Sequence, residues 1–173
     1  MKLFATLLFL TALPALAETV TPAQTGHWKF LSELDAKTDE EVLSVQVGSM
    51  EFLPAARGRP AGPAFLAIWC ADNRTDVSIW FSGQFMASSS GHGQMDYRVD
   101  KADAASVNME ADSTHEFLVL YGGKKSIPFI KALFGGEKLL IRATPLNQQS
   151  IDVAFAISNL EEAVKPIREA CNW

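Results

Sequence analysis

The stretch AFLAIWCADNRTDVSIWF, Ala64 to Phe81, decides the fold. Its first seven residues, Ala64 to Cys70, are apolar throughout, as a central strand covered on both faces would be. Val77-Ser78-Ile79-Trp80-Phe81 alternates, which is the period of a strand with one face toward a core. Between them, Ala71-Asp72-Asn73-Arg74-Thr75 is rich in residues whose side chains bond nearby backbone and favour turns. A hairpin is expected, and with it a chain of antiparallel strands.

Further strands lie on both sides. Val42 to Val47 sets Leu43, Val45 and Val47 on one face and Ser44 and Gln46 on the other. Trp28 to Leu34 is an extended segment joined to it by a turn at Asp35-Ala36-Lys37-Thr38-Asp39, and the loop Pro54 to Pro63 (PAARGRPAGP) follows. Ser88 to Gly93 reads as a flexible loop. Met95–Asp100, Glu116–Tyr121, Lys138–Thr144 and Ile151–Ile157 read as strands, with Pro145 to Ser150 connecting the last two.

Two helices are predicted. Ser126 can cap one over residues 126–134, which stops at Gly135-Gly136. The other starts at Ser158, where Glu161 completes a capping box, and runs over 159–171. Leu160, Val164, Ile167 and Cys171 recur at helical spacing, so Cys171 falls on the buried stripe. Pro166 is expected to kink this helix. The fold class is mostly β with α (α+β), an antiparallel β-sandwich or partly open barrel.

Residues 1–17, MKLFATLLFLTALPALA, carry one positive charge, a short apolar run and small residues before the expected cleavage between Ala17 and Glu18. These are the parts of a secretory signal. Residues 18–26 read as a flexible leader and 27–173 as a single β-rich domain. The formal net charge is −5, and no Lys/Arg cluster exceeds Lys124-Lys125. Nucleic acid and anionic membranes are thus poor partners. No second apolar run is long enough for a transmembrane segment. A periplasmic location follows from the signal. In an exported chain the two cysteines, Cys70 and Cys171, read as one disulfide.

No catalytic constellation emerges. His27, His92 and His115 form no HxH, HxxxH or HExxH pair, so neither a metal nor a cofactor is expected. Asp72, Asn73 and Asp76 offer oxygens but lack the length and terminal Glu of a calcium loop, and Asx turns account for them. Asn73-Arg74-Thr75 is a glycosylation sequon. There is no GxSxG, and Gly122-Gly123-Lys124-Lys125 lacks the spacing of a phosphate loop.

The residues do resemble a family. Ala143-Thr144-Pro145-Leu146-Asn147-Gln148-Gln149-Ser150, Val153 to Leu160, and Pro166-Ile167-Arg168-Glu169-Ala170-Cys171-Asn172-Trp173 are similar to the C-terminal signature of the VasI/TagO proteins, exported proteins associated with type VI secretion. Ala67 to Thr75, Tyr97-Arg98-Val99-Asp100 and Trp28 to Asp39 resemble upstream parts of the pattern. Trp69, Leu146 and Asn159 replace the usual arginine, aromatic and glycine. The resemblance implies that Cys70 and Cys171 are the family's paired positions, and it supplies no catalytic residue.

The expected function is that of a non-enzymatic periplasmic accessory protein acting by contact with envelope or secretion-apparatus proteins. One alternative is an exported ligand- or cell-wall-binding module using aromatics such as Trp80 and Phe81. Another is a hydrolase, which would need His92 or His115 within hydrogen-bond reach of an acid or nucleophile.

Overall fold

The computed structural model describes residues 27–36, 38–89 and 93–173. The signal, its Ala17/Glu18 cleavage point, the leader to residue 26 and His92 lie outside them. The described chain runs β1 (Lys29–Leu34), β2 (Glu41–Leu53), β3 (Gly62–Ala71), β4 (Arg74–Trp80), β5 (Gln94–Val99), β6 (Ala105–Asn108), β7 (Glu110–Ala111), β8 (Phe117–Leu120), α1 (Gly123–Ala132), β9 (Lys138–Ala143), β10 (Ile151–Ala156), α2 (Leu160–Ala163) and α3 (Lys165–Ala170). The strands form one antiparallel sheet in the order β6-β5-β9-β10-β2-β3-β4-β8-β7, with β1 added along β2. The sheet curls into a barrel with an unsealed seam, so the partly open barrel is the architecture formed.

The predicted hairpin is β3–β4. Ala71 faces Arg74 across a two-residue turn. Asp72 and Asn73 both have positive φ, 49° and 52°, which is the twist that suits flanking strands. β3 differs from its expected reading in one respect: Leu66, Ile68 and Cys70 are buried, whereas Phe65, Ala67 and Trp69 are only half-buried on the outer face. β3 also begins at Gly62, so Pro63 belongs to a strand rather than to the loop.

Two strands were not legible. β6 and β7 are the ends of the sheet, yet they are consecutive in the chain. One run, 105–111, pairs first with β5 and then with β8. It switches at buried Met109, whose amide donates to the Gly93 carbonyl at 2.9 Å. Runs this short and polar have no period to read. The opposite junction, β10 to β2, is thin: only Phe155 and Ser49 pair. β2 shifts register between Gly48 and Phe52 there, and side chains replace the ladder. Toward β10, the Ala154 amide donates to Glu51 Oε2 at 3.0 Å; toward β3, across the same irregularity, the Ala64 amide donates to Ser49 Oγ at 2.9 Å.

Both helices depart from their predicted caps. α1 starts at Gly123, three residues before Ser126, because Gly122 (φ 82°) is the N-cap. The Gly122 amide donates to Asp76 Oδ1 at 2.6 Å, and buried Ser126 donates to the Leu120 carbonyl at 2.8 Å. The C-terminal helix is two helices that meet at Val164. Pro166 lies in the first turn of α3, where its missing N–H costs nothing. The Ser158 capping box does not form. Asn159, at φ 62°, is the N-cap of α2 without a side-chain bond, which moves Ser158 out of register. The predicted stripe holds: Leu160, Val164, Ile167 and Cys171 are buried.

Cys70 and Cys171 are bonded, with Cα atoms 5.9 Å apart. One residue on, Asn172 Nδ2 donates to Asn73 Oδ1 in the β3–β4 turn at 3.1 Å. Trp173 then lies beneath Lys131 of α1 and Arg168 of α3. The end of the chain is thus tied to a strand, a turn and two helices within three residues.

Candidate functional site: an arginine–aromatic face

Antiparallel pairing sets side chains of β3 and β4 opposite one another on the outer face of the sheet. Phe65 faces Trp80, Ala67 faces Ser78 and Trp69 faces Asp76. The small middle pair separates Trp69 on one side from the stacked Phe65–Trp80 rings, 6.0 Å between centroids, on the other.

Three arginines lie over this face. Arg74 reaches 5.9 Å from the Trp69 ring centroid and donates from Nε to buried Asp76 Oδ2 at 3.1 Å. Arg59 and Arg57 come from the connection between β2 and β3, where Ala56 and Arg59 exchange backbone bonds around a turn with Arg57 and Gly58 at positive φ. The Arg59 guanidinium is 5.7 Å from the Trp80 centroid, and Arg57 is 5.0 Å from that of Phe85. Gly83 must stay bare for this: a Cβ there would meet Arg59 Cδ at 2.8 Å.

Glu116 organises the centre. Its carboxylate accepts two bonds from Arg59 Nη2, at 3.0 and 3.2 Å, and one from Trp80 Nε1 at 3.1 Å. The Trp80 bond, then Arg59, hold its carboxyl below the usual range. Asp112 fixes the turn that delivers Glu116. It accepts from the Thr114 hydroxyl and from the amides of Thr114, Glu116 and Phe117 at 2.6–3.1 Å. Burial pulls the Asp112 carboxyl up, but these bonds outweigh it and leave it lowered.

The two carboxyls link this face to acid stability. Because both are lowered in the folded chain, the unfolded chain takes up protons first as the pH falls. Their contribution is complete above the ordinary carboxylate range, near pH 4, and drains away as the pH drops through the folded values. The melting temperature is expected to fall on acidification below about pH 4. Asp112→Asn should flatten that acid limb, which thermal melts between neutral pH and about pH 2.5 would check.

The predicted aromatic pair is separated. Trp80 is on the face, but Phe81 is fully buried in the core. The next residue of a strand points to the opposite side, and the alternation places Phe81 inward. His115 is at the margin, stacked on Phe85 at 4.6 Å, with Nδ1 3.1 Å from the Met86 carbonyl. His27 is exposed on the domain's N-terminal side. Among the described residues no group of three His, Cys, Asp or Glu side chains is arranged to hold a metal ion. Likewise, no described helix is long and apolar enough to cross a membrane.

A second concavity, about 300 Å³, lies on the outer face of β5, β9 and β10. Its Leu140 floor is walled by Asp96, Arg98, Arg142 and Asp152. Arg142 and Asp152 are locked by two bonds of 2.7 Å, and that contact holds the Asp152 carboxyl below its usual range.

Sequence reasoning missed Arg57, Arg59, Phe85, Glu116 and Asp112. The arginines sit in a Pro/Gly-rich loop, and the rings they cover are more than twenty positions away, so no local pattern joins them.

In a comparison with solved structures, the fold resembles the crystal structure of invasion-associated protein B from Bartonella henselae. The TM-score is 0.53 at 10% identity, over 86% of this chain and 96% of that one. At that identity the likeness is one of fold. In sequence, no curated protein matches the chain. The family model described as type VI secretion system VasI, EvfG matches residues 15–173, nearly the whole chain and every element above. The match takes in Cys70 at the end of β3, the Asn159 turn and the clasped Cys171-Asn172-Trp173, and on it the chain belongs to the VasI family of the type VI secretion system.

Proposed function

We propose that this VasI-family chain is a non-enzymatic periplasmic accessory protein of type VI secretion that acts by protein–protein contact through its arginine–aromatic face. The observation that supports contact is the make-up of that face. Trp69, Trp80, Phe65 and Phe85 are half-buried, and Arg74, Arg59 and Arg57 lie over Trp69, Trp80 and Phe85 respectively. Tryptophan and arginine are the residues most enriched where interfaces concentrate their binding energy. Arg59 and Arg74 are each paired to a carboxylate, Glu116 and Asp76, so the face offers planar guanidinium and ring surfaces to a partner more than net positive charge. Export and the disulfide agree with each other, since such bonds persist in oxidising compartments.

The test is secretion in a deletion strain complemented with wild-type or variant protein. Deletion is expected to reduce type VI secretion. Trp80→Ala with Trp69→Ala should fail to restore it while accumulating as a folded, oxidised protein, with a loss of partner affinity of about a hundredfold. Wild-type secretion in the deletion strain would remove the assignment.

A second reading has one observation in its favour. Half-buried Trp69 and the stacked Phe65–Trp80 rings, spaced by the small Ala67–Ser78 pair on one sheet face, offer ring surfaces on which a sugar could stack. Co-sedimentation with purified peptidoglycan that disappears in Trp80→Ala would favour a cell-wall-binding module.

A further inference from the structure

Three strands have a single partner among the described residues: β6 and β7, the short ends that border the seam and follow one another in the chain, and β1, which pairs with β2. Of these β1 is the longest, at six residues. It is exposed along its length apart from Phe30. Leu31 and Leu34 are among the most exposed large apolar side chains, at 37% and 69%. An edge strand of this kind presents a row of free backbone donors and acceptors, which is a template for another strand.

The sequence of β1 says which strand fits. Lys29, Leu31 and Glu33 share one face. Among the described residues neither Lys29 nor Glu33 has an ion-pair partner within the chain; they face Gln46 and Val42 across the β1–β2 ladder. Reversing the segment end for end about Leu31 swaps the positions of the lysine and the glutamate. The edge is therefore complementary in charge to itself.

We infer that β1 is a self-association edge, where a second copy of this chain adds its own β1 antiparallel about a two-fold axis through Leu31. In that register Lys29 faces Glu33 of the second copy, Glu33 faces its Lys29, and the two Leu31 side chains meet on the axis. Directly opposed side chains lie about 4.5–5.5 Å apart at Cβ, so both ion pairs form. A shift of one residue would break them and send every side chain to the other face. The contact is isologous and closed, and it joins two barrels through one continuous sheet. A single strand edge buries little area, which makes the dimer weak and concentration-dependent.

The test is sedimentation velocity of the oxidised exported chain over a concentration series. Dimer is expected to accumulate with concentration. Lys29→Glu places two like-charged pairs at the edge and should raise the dissociation constant about tenfold or more, and Glu33→Lys should do the same. The double variant Lys29→Glu/Glu33→Lys restores both pairs and should recover wild-type association, which a merely structural effect would not. Both side chains are exposed, so melting temperatures should not change. A wild-type monomer at concentrations up to about 1 mM would overturn the inference. So would a double variant no better than the singles. A chain truncated to residue 27 that dimerises when the longer chain does not would overturn it too, since the leader would then occupy the edge.

Discussion

Replacing both Cys70 and Cys171 by alanine is expected to lower the unfolding free energy by about 4–5 kcal/mol. The bond spans a sequence separation of 101, so it removes much of the freedom of the unfolded chain. It also holds the C-terminal end of α3 against β3. α3 is only six residues long, too short to persist without tertiary contacts. Losing the bond should therefore loosen the Asn172–Asn73 contact and the Trp173 packing with it. Urea unfolding of the oxidised protein, the reduced protein and the double variant would measure this. The midpoint should fall in the last two, and the m-value should rise because the uncrosslinked denatured chain is more expanded. A loss below about 1 kcal/mol would mean that the packing of Leu160, Val164 and Ile167 holds the terminus unaided.

Truncating Phe155 is the second large effect. Phe155→Ala should cost about 3–5 kcal/mol, whereas Phe155→Leu should cost about 1 kcal/mol. Phe155 is fully buried, faces Leu139 within the β9–β10 ladder, and makes the one ladder pair between β10 and β2. Everywhere else along the sheet, backbone bonds would survive the loss of a ring. At this junction the ring is what keeps β10 against β2, and the Ala154–Glu51 bond depends on that distance. The measurement is chemical unfolding together with amide exchange. Exchange at Ala154 should accelerate more than exchange at Val153 or Ile141, which lie in the β9–β10 ladder. Uniform acceleration would mean that the junction opens only when the whole barrel does.

How far the sequence could be read depended on whether its physics was local. The β3–β4 hairpin was legible because alternation and an Asp-Asn turn lie within a dozen residues. The stripe that turns Cys171 inward was legible because helical phase survives the break at Val164. Ser126 and Ser158 misled for a shared reason. Each has the composition of a cap, but Gly122 and Asn159 take positive φ nearby and move the helix start. The run 105–111 was illegible because its pairing is set by two different partners, neither adjacent in sequence. The outer face of β3 was misread as buried because an apolar side chain looks the same whether a helix or an arginine covers it.

The sequence by itself determined the strand period, the antiparallel class, the cysteine pair, and the family. These rest on spacing along the chain, which folding does not alter. The tertiary structure alone decided that the sheet curls until β6 and β7 meet through Met109, and that Arg59, Trp80 and Glu116 converge. It alone left β1 with an open edge. Those features arise from strand order and from loops that bring distant residues within a few ångströms, a geometry that no local pattern encodes.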